Sequence, residues 1–234
     1  MRFQKPRSLS IIVPVFNEEK TLLPLLQKVQ KVKLLGLKKQ IILVNDGSTD
    51  RTSQLFKKLK LPNGKILHHK VNQGKGAAIR TAIPHTTGDI VIIQDADLEY
   101  DPNDYKIVIQ PLMTGQADVV YGSRFKGVHR AFYFWHYVGN KFLTHLTNLL
   151  YGNILTDMET CYKAFRGDVL RSLKLRSNRF DFEPEVTAKV LKRGCRLFEV
   201  PISYNGRGFG EGKKITWRDG VVAVVCLIRY KWLD

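Results

Sequence analysis

Asp95 and Asp97 stand one residue apart just after the apolar run Ile90-Val91-Ile92-Ile93. Two hard oxygen donors so placed suit Mg²⁺ or Mn²⁺, which bind one or two carboxylates together with substrate phosphates. An Asp-x-Asp pair alone is weak, because most such pairs are solvated turn residues. Its setting strengthens it. The apolar run reads as a strand buried on both faces, as in parallel sheets. Open α/β sheets bind ligands just beyond the carboxyl ends of their strands. Asp46 follows a second apolar run, Ile41 to Val44, in the same way, with a plain turn carboxylate as the alternative. Lys75 lies in the small-residue loop Asn72-Gln73-Gly74-Lys75-Gly76-Ala77-Ala78, at what reads as a helix N-terminus, where an anion is welcome. The loop is neither Gly-x-x-x-x-Gly-Lys-Ser/Thr nor the Gly-x-Gly-x-x-Gly fingerprint. Close helix–sheet packing by Gly76, Ala77 and Ala78 is the simpler reading of its glycine and alanines.

The elements that must hold these residues alternate. Strands are expected over Leu9–Val15, Gln40–Asn45, Lys65–His69, Ile90–Ile93 and Ala117–Gly122. Between them the pattern predicts helices: one capped by Asn17 and running to about Leu35 with Gly36 as its stop, one over Arg51–Lys60, one ending near His85, and one opened by Pro102. Strand–helix alternation of this kind argues for a doubly wound parallel sheet with its loops at one rim. After Arg124 the regularity breaks. An aromatic, apolar helix is expected from Ala131 to Gly152. A second acidic passage, Thr156-Asp157-Met158-Glu159-Thr160, follows. Then come a helix that Phe180-Asp181-Phe182-Glu183-Pro184-Glu185 starts and that runs to about Arg193, a strand from Arg196 to Tyr204, a basic glycine-rich loop over Asn205–Lys214, and an amphipathic helix over Thr216–Trp232. The fold class expected is α/β: one domain with a mostly parallel twisted sheet flanked by helices, closed by that C-terminal amphipathic helix. His68 and His69 cannot easily share an ion, because adjacent strand residues point to opposite faces.

The chain has 234 residues and a formal charge of +17. Such an excess favours a polyanionic partner: nucleic acid, anionic headgroups or phosphorylated substrates. Three scattered cysteines, Cys161, Cys195 and Cys226, make no zinc spacing and fit reduced thiols in a cytosol. The N-terminus has no apolar signal region. The longest apolar run, Val221 to Ile228, is less than half of the ~20 residues that span a bilayer. A soluble protein, or one peripheral on a membrane, is expected.

Six segments together resemble the GT-A glycosyltransferases of family 2, most closely the polyprenyl- or dolichyl-phosphate sugar synthases. They are Pro14-Val15-Phe16-Asn17-Glu18-Glu19, Val44-Asn45-Asp46-Gly47-Ser48-Thr49-Asp50, Asn72-Gln73-Gly74-Lys75-Gly76, Asp95-Ala96-Asp97, Gly122-Ser123-Arg124 and Phe182-Glu183-Pro184-Glu185. The resemblance implies a nucleotide-sugar donor, GDP-mannose or UDP-glucose, with a divalent cation, Mg²⁺ or Mn²⁺. It implies a donor-binding half over residues 1–125 and an acceptor-binding half over 126–234, within one GT-A domain. Pro14, Phe16, Glu18 and Asp46 would hold the nucleoside, with Lys75 beside them. Asp95 and Asp97 would face the metal and diphosphate, and Glu99, where relatives often carry Gln, would join the metal. Arg124, Arg207 and Lys213 would face phosphates of donor or acceptor. Where relatives often read Asp-x-x-Ser-Gly-Phe, this chain reads Asp157-Met158-Glu159-Thr160-Cys161-Tyr162.

The chemistry so implied is hexose transfer with inversion, with Asp97, Asp157 and Arg124 as its catalytic residues. If a hydroxyl attacks, a carboxylate takes its proton; Asp157 is the family-like candidate, with Glu159 behind it. If a polyprenyl phosphate attacks, the nucleophile is already largely ionised at neutral pH, and orienting arginines matter more. The aromatic segment Phe132–Tyr151 and the basic residues Lys126, Arg130, Lys141, Lys213, Lys214, Arg218, Arg229 and Lys231 suit a membrane interface; core packing or a dimer contact is the plain alternative. The expected place is therefore the cytoplasm, peripheral on the cytoplasmic face of the membrane. A family 2 enzyme acting on a soluble glycan or protein acceptor is the rival. A nucleic-acid-binding module ranks last, because acids at three strand ends repel phosphates, so no nucleic-acid partner is expected.

Overall fold

A computed structural model describes residues 4–34, 36–207 and 217–233. Seven strands form one sheet: β1 (Ser8–Val15), β2 (Lys38–Asp46), β3 (Gly64–His69), β4 (Ile90–Ile93), β5 (Val119–Ser123), β6 (Lys163–Arg166) and β7 (Leu197–Pro201). Their spatial order is β3-β2-β1-β4-β6-β5-β7. All pairings are parallel except those of β6, which runs antiparallel between β4 and β5, with Ile90 opposite Arg166 and Val119 opposite Phe165. The helices are α1 (Leu22–Lys31), α2 (Thr52–Lys58), α3 (Lys75–Ala82), α4 (Tyr105–Met113), α5 (Phe134–Tyr151), α6 (Gly167–Ser172), α7 (Phe182–Lys192) and α8 (Trp217–Trp232).

Alternation along the central strands divides the core into two layers. Leu9, Ile11, Val13, Leu43, Ile90 and Ile92 face one side, where α1 and α4 bury Leu22, Leu25, Val29, Val108 and Leu112. Ile12, Ile42, Val44, Val91 and Ile93 face the other, against Ala78, Ile79 and Ala82 of α3 and Val186 and Val190 of α7. Both faces of β4 are covered, which is why its sequence is continuously apolar rather than alternating. A third cluster lies off the sheet. Leu143 of α5 and Ala223 and Leu227 of α8 pack with Leu155 and Met158, and the Tyr151 hydroxyl donates to the Leu227 carbonyl at 2.8 Å.

The mostly parallel sheet and its flanking helices agree with the expectation, and three details do not. First, β6 and α6 were not anticipated. Lys163-Ala164-Phe165-Arg166 carries charge at both ends, yet tertiary pairing on two sides makes it a strand. Second, α1 is shorter than expected. Asn17 does not cap it; its backbone is left-handed, φ 56°, and its side-chain oxygen accepts from the Thr49 amide at 2.8 Å. A tertiary bond thus competes with the local cap. Third, α1 ends at Lys31 rather than at Gly36. Lys39 Nζ donates to the carbonyls of Val29, Gln30 and Val32 at 2.7–2.9 Å, supplying from β2 the partners that a helix C-terminus lacks.

Candidate active site

The chain leaves β1 and β4, neighbours in the sheet, in different directions, which makes the crevice at their carboxyl ends a topological switch point. A cavity of about 1140 Å³ opens there. Pro14, Phe16, Glu18, Asp46, Lys75, Asp95, Asp97, Glu99, Arg124 and Arg207 all line it. Asp157 does not. Lys213 lies outside the described residues, as do residues 208–214 of the expected glycine loop.

The donor side is assembled by loops that hydrogen-bond one another. Asp46 accepts from the amides of Gln73 at 2.9 Å and Gly74 at 2.8 Å, and its Oδ1 lies 2.7 Å from His69 Nδ1. The Asp46 carboxylate therefore holds the 72–74 loop as well as facing the cavity. Gly47 makes this approach possible. Its φ is +66°, and a Cβ there would stand 2.4 Å from the Val71 carbonyl carbon. Gly74, at φ +99°, would meet the Asn178 carbonyl oxygen at 2.3 Å. Lys75 Nζ lies 2.9 Å from Asp95 and 3.1 Å from Glu183, pairing both.

Leu98 has φ 66°, rare for a branched side chain. This local strain turns the backbone between Asp97 and Glu99. Burial, then the nearby charges of Asp95 and Glu99, push the Asp97 carboxyl up to about 8. Arg207 opposes this shift. Its guanidinium donates to the Asp97 carbonyl at 2.8 Å and to Glu18 at 2.8 Å, tying the β1 loop to the β4 loop. Glu99 is placed differently from its expected part in a metal shell. Its carboxylate accepts from the Tyr204 hydroxyl at 2.7 Å and the Arg207 amide at 2.8 Å. Among the described residues, no three His, Cys, Asp or Glu side chains form a metal-holding group. Asp95 and Asp97 remain as two half-buried carboxylates that crowd negative charge at the cavity wall, a donor set that would suit a Mg²⁺ or Mn²⁺ ion with diphosphate oxygens and water.

Asp157 lies apart from the cavity lining. It is fully buried. One oxygen accepts from Arg124 Nε at 2.8 Å and the Arg124 amide at 2.9 Å, and the other from Nη2 at 2.7 Å. A carboxylate so engaged fixes the plane of the Arg124 guanidinium. Glu159, two residues on, lines the cavity instead. Burial and the neighbouring Glu183 push its carboxyl up to about 7, against the pull of Lys163 and Arg124.

Beyond Arg124 the cavity continues between α5 and α8, lined by Phe132, Trp135, Phe142, Leu143, Val221 and Val224. Several residues in and beside this corridor are also exposed to solvent. Trp135 is 79% exposed, Phe134 68% and Phe142 59%, beside exposed Val221, Val225 and Trp232 of α8. Among the described residues, no helix is long and apolar enough to cross a membrane.

The sequence profile described as Glycosyl transferase family 2 matches residues 10–174. The chain belongs to that family. An uncharacterized protein of Methanocaldococcus jannaschii is 32% identical over 200 residues, 82% of this chain and 79% of the relative. The low-salt glycan biosynthesis hexosyltransferase Agl6 of Haloferax volcanii is 28% identical over 225 residues, 91% of this chain, which spans 51% of Agl6. Among solved structures, glucosyl-3-phosphoglycerate synthase of Mycobacterium tuberculosis in complex with Mn²⁺, UDP and phosphoglyceric acid superposes with a TM-score of 0.71 at 20% identity, covering 97% of this chain and 80% of that one. The same enzyme with Mg²⁺ and UDP gives 0.72 at 20% identity, covering 97% and 80%. At that identity the likeness bears on the fold, which is the GT-A α/β fold expected. In this family 2 chain, sequence reasoning missed the Lys75–Glu183 pair, the Tyr204–Glu99 bond and the buried Lys163. The charged residues within apolar contexts, Lys163 before Ala-Phe and Glu183 after Phe, were the available signal.

Proposed function

We propose that the chain transfers a hexose, with inversion, from a nucleotide sugar to a polyprenyl phosphate at a membrane surface, on its cytoplasmic face. The observation that carries this reading is the continuity of one cavity. It begins at the acids beyond β1 and β4, passes Arg124, and runs out between two helices whose outer faces are aromatic and aliphatic. A molecule with a phosphate head and an apolar tail matches that sequence of surfaces. The hexosyltransferase Agl6 and the UDP complexes of glucosyl-3-phosphoglycerate synthase support the donor class.

In this reading Pro14, Phe16 and Glu18 hold the nucleoside beside the Asp46-braced loop. Asp95 and Asp97 would hold Mg²⁺ or Mn²⁺, whose charge, when bound, stabilises the departing diphosphate without a proton; the metal-bound complexes of the M. tuberculosis enzyme agree with this choice. Arg207 and Lys75 add fixed positive charge on the donor side, where negative charge grows as the sugar C1–O bond breaks. Arg124, oriented by Asp157, faces the acceptor phosphate, and that phosphate needs no strong base. Trp135, Phe134 and Phe142 seat the α5–α8 face in the lipid interface, with the exposed Arg229 toward anionic headgroups.

The test is transfer of radiolabelled hexose from GDP-mannose or UDP-glucose into solvent-extractable lipid, with polyprenyl phosphate, Mn²⁺ and anionic liposomes supplied. Label appearing in lipid supports the reading. Label entering only a soluble acceptor, such as phosphoglyceric acid, with no binding to anionic liposomes at low salt, overturns the lipid acceptor and keeps the donor site.

A further inference from the structure

Among the described residues, four buried side-chain atoms have no hydrogen-bond partner: Gln94 Oε1, Tyr105 Oη, Glu159 Oε1 and Glu183 Oε2. Of these four residues, only Glu159 lines the cavity. A buried carboxylate oxygen without a donor carries a desolvation cost, and a donor arriving in the cavity removes it.

The backbone on either side of Glu159 is pinned. The Thr156 and Asp157 amides donate to Glu199 at 2.9 and 3.1 Å. The Met158 amide donates to Thr144 Oγ1 at 3.1 Å, and Thr160 Oγ1 donates to the Gly122 carbonyl at 2.6 Å. The fully buried Lys163 holds the Met158 and Thr160 carbonyls from below. A loop held at four points cannot swing its side chain to another partner cheaply. Such a rigid support is what a recognition group needs.

The place of Glu159 limits what can meet it. Glu183, close enough to raise its carboxyl, is paired through Lys75 to Asp95 on the donor side. Arg124, held by Asp157, lines the same cavity as Glu159 and is close enough to pull on its carboxyl. In a displacement, the transferred sugar must lie between the leaving diphosphate and the incoming nucleophile. Both of those are anions, which the ionised form of the Glu159 carboxyl repels. The sugar is neutral and carries hydroxyl donors.

We propose that Glu159 accepts a hydrogen bond from a hydroxyl of the transferred hexose and so takes part in choosing which sugar is moved. This rests on the nucleotide-sugar reading of the donor site and is independent of the acceptor. Chemically, the match is a hydroxyl donor to an orphan acceptor, and a site built to pair a hydroxyl rejects analogues that lack it.

Calorimetry with Mn²⁺ tests it, using UDP against UDP-glucose and GDP against GDP-mannose, on wild type and Glu159→Ala. Expected is a loss of about tenfold or more for the sugar nucleotide, as for a hydrogen bond to a charged group, with the nucleoside diphosphate within about twofold. That control also shows that the variant is folded. Among deoxy-sugar donors, one analogue should bind about tenfold more weakly than the parent to wild type and equally well to Glu159→Ala. Equal weakening of diphosphate and sugar nucleotide would overturn the proposal. A loss confined to kcat, with donor affinity untouched, would also overturn it and assign Glu159 to proton transfer. Should wild type bind neither sugar nucleotide, the donor reading itself falls and the proposal with it.

Discussion

The donor rim and the α5–α8 corridor solve opposite problems. At the rim, polar groups are settled by other loops: Asp46 by Gln73 and Gly74, Glu18 by Arg207, Asp95 by Lys75, Glu99 by Tyr204. Such bonds fix the charged groups relative to one another, which is what preorganised electrostatics requires. In the corridor, the interior face is packed around Leu143, Ala223 and Leu227, while Trp135, Phe134 and Phe142 stay exposed. That face gains from a further apolar partner; the rim gains from ions. The contrast teaches that the charged rim is ordered by contacts within the fold, while part of the aromatic and aliphatic surface of α5 and α8 stays uncovered.

The largest effect should come from Asp97. Asp97→Ala is expected to cut transfer by about 10²–10³-fold or more, the scale for losing one electrostatic stabiliser, with the circular dichroism spectrum unchanged. Asp97 also gives stability a pH slope. Its folded value of about 8 lies above the ordinary 3.8, so the folded state binds more protons across that window. Without divalent cation, stability should be greatest near the bottom of the window and fall as pH rises toward about 8. Thermal melts in chelator should show this fall, and Asp97→Asn should flatten it. A flat wild-type profile would break the picture of a crowded rim.

Next comes the pair that joins the two regions. Asp157→Ala leaves the Arg124 guanidinium buried without its counterion, and the cost is about 3–5 kcal/mol, read as a lower midpoint in urea. If stability were unmoved, the link between rim and corridor would be looser than the 2.7–2.9 Å bonds show.

Smaller again, Trp135→Ala should lower affinity for anionic liposomes by about 1.5–3 kcal/mol, the value of one large apolar side chain leaving water. Sedimentation with vesicles reads the loss, and nucleoside diphosphate binding should not change. Equal loss of both would mean that the corridor supports the rim structurally. The smallest effect, about 1 kcal/mol, is expected for Lys39→Met, which removes the amine capping α1 far from either region; denaturant titration measures it, with donor affinity constant.

Much of this was legible in one dimension. Ile90 to Ile93 announced a central strand because residues covered on both faces must be apolar on both parities. Asp46, Asp95 and Asp97 announced the rim because each follows such a run at the carboxyl end of a strand. Local chemistry determined these features, and local chemistry is written in neighbouring letters. The tertiary structure alone decided the others. β6 is a strand because β4 and β5 each offer it a ladder, although Lys163 and Arg166 give it no strand-like pattern. Asn17 abandons its helix for Thr49. Asp157, the candidate base for a hydroxyl acceptor, is paired with an arginine 33 residues away, and Glu159 lines the cavity. Each of these outcomes depends on which distant group wins a hydrogen bond, and that competition is resolved only when the sheet brings the competitors together.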